Sequence, residues 1–86
     1  MTDKKIQVYG TTWCPDCHQA KNILKKRDVA YEWYDIGEDD VARTYVEKMN
    51  KGYRSVPTII FPDGSILVEP GNAELENKLA ELEKVL

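Results

Sequence analysis

Apolar and polar positions alternate through Lys5–Tyr9 ("KIQVY"), the spacing of a β-strand. From Pro15 to about Asp28 the period lengthens, and Cys17, Ala20 and Leu24 fall on one helical face with Ile23 beside them. Ala30–Ile36 ("AYEWYDI") alternates again and is rich in aromatics, which predicts a second strand that Gly37 breaks. Asp39 and Asp40 stand where helix-starting acids belong, and Ala42, Tyr45, Val46 and Met49 follow at helical spacing. Asn50-Lys51-Gly52 closes that helix. Ser55–Phe61 ("SVPTIIF") is apolar almost throughout and predicts a central third strand. Pro62-Asp63-Gly64 is its hairpin turn, and "SILVE" is the returning fourth strand. After Pro70-Gly71, Asn72 is a favourable N-cap for a last helix lined by Leu75, Leu79, Leu82 and Leu86.

The predicted order is β-α-β-α-β-β-α. Its first βαβ unit implies two parallel strands with a right-handed crossover, and the hairpin adds antiparallel strands. The expectation is an α/β fold: a four-stranded mixed sheet flanked by three helices. No repeat or linker interrupts the 86 residues, so a single domain over 1–86 is expected. A chain this short buries roughly 60–70% of the surface its unfolded form exposes, enough for one modest core.

Charge removes several function classes. The net charge of −3 offers no basic excess for nucleic acid. No apolar run is long enough to span a membrane. The opening "MTDKKIQVYG" does not have the form of a signal peptide, so a cytoplasmic protein is expected, and separately a monomer. Both of the chain's cysteines lie in "TTWCPDCHQAK", too close together to staple a fold.

Cys14-Pro15-Asp16-Cys17-His18 satisfies three patterns: a redox pair, half of a zinc site, and a haem-attachment signature. A structural zinc site needs four ligands, and beyond the pair only His18 is available. His18 also points away from the face of Cys17 and reads as a solvent-facing helix residue. Haem attachment needs a helical pocket and usually export, whereas this chain spends its core on a sheet. The position of the pair favours redox chemistry. With Cys14 as N-cap and Pro15 at the first helical position, the free N–H groups and the positive helix end point at the Cys14 sulfur. A thiolate there is stabilised. Asp16, also at the helix start, opposes that second negative charge. Cys17 faces inward and can close onto Cys14.

Three stretches carry a resemblance: "VYGTTWCPDC", "SVPTIIF" and "FPDGSILVEPGNAEL". Over nearly its full length the chain resembles a glutaredoxin, a minimal thioredoxin-fold protein, and is most similar to the mycoredoxin-like branch. The resemblance implies a thiol–disulfide oxidoreductase acting through Cys14 and Cys17. It implies a cis Pro57 packed beside the pair, where the residues alone read as a strand-start proline. Val56 would then offer its backbone to an extended substrate. Thr12, Trp13, Pro15, Gly71 and Asn72 are further expected substrate-binding residues, with Trp13 a flat wall of the groove.

Departures from the pattern stand out. Many glutathione-using members carry Lys or Arg where Thr11 stands, and a Gly-Gly pair where this chain has Glu69-Pro70-Gly71-Asn72. Both changes remove contacts for a thiol carrier's carboxylates. Arg54, near Lys48 and Lys51, is the candidate replacement. No bound cofactor is expected; a low-molecular-weight thiol or a thioredoxin-type reductase would recycle the protein. Expected partners are disulfide-containing proteins or thiol mixed disulfides, with no nucleic acid, membrane or metal. The alternatives are an iron–sulfur carrier, which Pro15 disfavours within the family, and a non-catalytic binding module.

Overall fold

The computed structural model describes residues 5–85. Its elements are β1 (Ile6–Gly10), α1 (Pro15–Lys26), β2 (Tyr31–Asp35), α2 (Asp40–Met49), β3 (Thr58–Ile60), β4 (Ile66–Val68) and α3 (Asn72–Val85). The sheet order is β2-β1-β3-β4, with β1 parallel to β2 and the other neighbours antiparallel. This is the expected four-stranded mixed sheet with three helices.

Side-chain alternation divides the core between the two sheet faces. Ile6, Val8, Ile59 and Phe61 pack with Ala20 and Leu24 of α1 and with Leu75 and Leu79 of α3. On the opposite face Tyr9 and Ile36 pack with Ala42 and Val46 of α2. Tyr45, on the predicted apolar stripe of α2, is instead 44% exposed. The predicted place of Leu86 on α3 lies outside the described residues.

The helix ends follow from local chemistry. Asp39 Oδ1 accepts the Ala42 N–H at 3.0 Å and caps α2. α1 stops at Lys26, short of Asp28, because Asp28 takes a left-handed φ of 58°. The Asp28 and Val29 N–H groups then close onto the carbonyls of Lys25 and Leu24, a Schellman termination. Asn72 is not the cap of α3 but its first residue. Gly71 takes that place, since its carbonyl accepts the Leu75 N–H at 3.0 Å.

β3 and β4 are shorter than their apolar runs. Pro57 has no N–H for the ladder, and the Thr58 hydroxyl bonds back to the Ser55 carbonyl. Ser65 is taken by the turn, where its N–H and hydroxyl both reach Asp63 Oδ1. Residues 55–57 are thereby left beside the first turn of α1 rather than inside the sheet.

Candidate functional site

β1 delivers the chain to the start of α1, and Cys14 stands at the junction. Its backbone is extended (φ −86°, ψ 114°), Pro15 opens the helix, and Cys14 Sγ accepts the Cys17 N–H at 3.2 Å. The Cys14 carbonyl already accepts the His18 N–H at 3.2 Å. Cys14 is therefore an N-cap whose side chain is a sulfur. It is half-buried, whereas Cys17 has no exposure, and both are free.

The two sulfurs differ in environment. Burial, and then the contact with Cys14, push the Cys17 thiol up to about 12, while a backbone N–H from Thr11 pulls the other way. The charge of Asp16 adds to the upward push. Gly10, the last residue of β1, makes room for this sulfur. A Cβ there would lie 2.5 Å from Cys17 Sγ and 2.9 Å from the Trp33 ring. Periodicity gave no hint of that requirement; only the glycine at a strand end ahead of a cysteine pair signals it.

The second segment arrives from β3. The Val56–Pro57 bond is cis, and Pro57 is buried. The Cys14 thiol points at the Val56 carbonyl, 4.0 Å away. The Pro57 carbonyl accepts the Glu69 N–H at 2.8 Å, which ties the end of β4 to the same place. Trp13 is 72% exposed, and its ring edge covers Gly37, where a Cβ would meet it at 3.0 Å. Thr12 and Pro15 are exposed beside it. Gly71 and Asn72 line an opening of about 270 Å³ with Asp16, Gln19 and Glu69.

Two residues have partners that the sequence did not show. His18 is exposed, yet Nε2 lies 2.6 Å from the Thr12 carbonyl, so it braces the loop before Cys14. Arg54 is not brought to the cysteines by any bond. Its Nε donates to Glu47 at 2.5 Å, because the turn after α2 returns it to that helix. The Thr11 hydroxyl is buried and has no hydrogen-bond partner among the described residues. Among the described residues, no three His, Cys, Asp or Glu side chains gather as a metal site.

The sheet order, its helices and a cysteine pair at the start of α1 define a thioredoxin-like fold. The family model described as Glutaredoxin matches residues 6–66, and the chain belongs to the glutaredoxin family. Mycoredoxin 1 of Corynebacterium glutamicum is 35% identical over 78 residues, covering 90% of this chain and 95% of the relative. A Mycobacterium tuberculosis protein named as a glutaredoxin is 35% identical over 82 residues, covering 95% and 98%. The crystal structure of a thioredoxin-like protein superposes with a TM-score of 0.70 at 36% identity, covering 91% of this chain and 99% of that one. The Archaeoglobus fulgidus glutaredoxin gives 0.69 at 25% identity, covering 85% and 83%. Membership in this family supports thiol–disulfide redox function in general.

Proposed function

We propose that the protein is a dithiol disulfide reductase in which Cys14 attacks and Cys17 resolves. One observation carries the assignment: the Cys14 sulfur caps α1 within reach of solvent, while the Cys17 sulfur one turn on is sealed beneath it. The Cys14 thiolate attacks one sulfur of a substrate disulfide, forms a mixed disulfide and expels the other sulfur as a thiolate. Cys17 then loses its proton to water or to the departing thiolate and attacks the Cys14 sulfur. The second substrate thiolate leaves, and a Cys14–Cys17 disulfide remains. The substrate gains two electrons and the protein loses two.

The raised Cys17 thiol fits that order, since a buried, protonated sulfur does not open the reaction. An external low-molecular-weight thiol or a thioredoxin-type reductase returns the two electrons, so the chemistry needs no bound cofactor. Substrates are protein disulfides or thiol mixed disulfides. A monomer in a reducing, cytoplasmic compartment suits a pair that must cycle rather than persist as a disulfide.

Serine variants test the roles. Cys14→Ser should abolish all reduction. Cys17→Ser should lose reduction of protein disulfides yet retain that of small-thiol adducts, where a second small thiol performs the release. An active Cys14→Ser variant alongside an inactive Cys17→Ser variant would reverse the assignment.

A further inference from the structure

We propose that the opening beside the cysteine pair selects protein disulfides whose cysteine is flanked by lysine or arginine. The proposal rests on the reductase reading above and adds the class of substrate. One wall of the opening is Asp16, two residues after Cys14 on α1. The other is Glu69, whose N–H is bonded to the Pro57 carbonyl next to the Val56 carbonyl that Cys14 faces. Both side chains are exposed, and among the described residues neither carboxylate takes part in a hydrogen bond or ion pair. No residue lining the opening is basic.

The first turn of α3 also faces the opening at Gly71 and Asn72. Its partial positive charge is about +0.5, less than the two full charges opposite, and Glu74 in that turn offsets it further. Next to Cys14 in sequence, Trp13 lies over Gly37, in the connection that runs from Asp35 at the end of β2 through Glu38 and Asp39 to Asp40 at the start of α2. Asp35 and Asp39 accept backbone N–H groups, and Asp40 is paired with Arg43. Arg54, the cation the sequence offered for this site, is held by Glu47.

A segment laid across Cys14 and this opening therefore meets the carboxylates of Asp16 and Glu69. Val56, outside the β3 ladder, leaves backbone beside the sulfur for an extended chain, and Trp13 supplies an exposed apolar face. That combination fits a basic protein segment and opposes a small thiol carrier that bears carboxylates.

The test uses three disulfide-linked peptides of one sequence, with Lys, Gln or Glu on either side of the cysteine. Two unpaired carboxylates acting through water at roughly 6–8 Å predict a Lys-over-Glu preference of about ten-fold in kcat/KM at low salt. Molar salt should erase most of it. The Asp16→Asn, Glu69→Gln double variant should bring the ratio near unity; using the ratio cancels any effect common to all peptides. Both positions are exposed, so the fold should survive the change. Equal rates, or a preference for Glu, would overturn the proposal, and a preference that survives the double variant would overturn its assignment to these residues. Reduction of none of the peptides would strike down the reductase reading itself, and the proposal with it.

Discussion

Replacing Gly10 with alanine tests the packing beneath the cysteine pair. The added Cβ would sit 2.5 Å from Cys17 Sγ, 2.9 Å from one Trp33 carbon and 3.0 Å from another. Relaxed contacts lie at about 3.5–4.0 Å, so the overlap with sulfur is about 1 Å. Neither neighbour yields easily: Cys17 has no exposure, and Trp33 is a rigid ring with Lys21 Nζ 3.8 Å above its centroid. Overpacking of this kind costs about 1–3 kcal/mol, and two opposed contacts put it near the upper end. Alanine also narrows the unfolded ensemble, which returns about 0.4–1 kcal/mol. The net expectation is a loss of about 2 kcal/mol, or about 8–16 °C in Tm for a chain this size. Gly37→Ala is the control. Its Cβ would meet Trp13 at 3.0 Å and Asp35 Oδ1 at 3.1 Å, but that ring is 72% exposed and can swing away. The Asp35 carboxylate is the far end of a side chain that needs to give by only a few tenths of an ångström. A change within about 0.5 kcal/mol is expected there. Urea unfolding of both reduced variants measures the two values. If Gly10→Ala matches the wild type, or Gly37→Ala costs as much, Gly10 is not present to make room for Cys17.

Two further outcomes follow from the titrating groups. Iodoacetamide at pH 8 should label Cys14 and spare Cys17, whose thiol is buried and pushed up to about 12; equal labelling in a peptide map would contradict the attacking and resolving roles. Asp63 is held well below the usual carboxylate range by the Lys78 ammonium, then by the Ser65 hydroxyl and N–H. A depressed carboxylate stabilises the fold above its unfolded value of about 3.9 and loses that contribution as pH falls through its native value. The stability gap between wild type and Asp63→Asn should therefore be present at pH 7 and close progressively below about pH 4. A gap unchanged down to pH 2 would exclude the Asp63–Lys78 link between the hairpin and α3.

Much of the architecture was legible along the chain because its signals are local. Alternation marked β1 and β2, three-and-four spacing marked the buried face of α1, and Cys14-Pro15 announced a helix start with a sulfur at its cap. These depend only on near neighbours and the backbone's two periods. Asn72 misled for the same reason: a good capping side chain predicts a cap, but the cap's place depends on how Pro70-Gly71 turns the chain. What lies opposite each residue was decided by the tertiary structure. Arg54 stands three residues before Pro57 in sequence, yet the turn after α2 hands its guanidinium to Glu47. His18 read as an idle surface residue until the fold set its ring against the Thr12 carbonyl. Gly10 is one of five glycines by composition, and only the convergence of Cys17 and Trp33 on its missing Cβ shows why a side chain does not fit. Periodicity specifies which face turns inward. Contacts between segments 40 or more residues apart, such as Cys14 with Val56, exist only after sheet and helices have closed around one another.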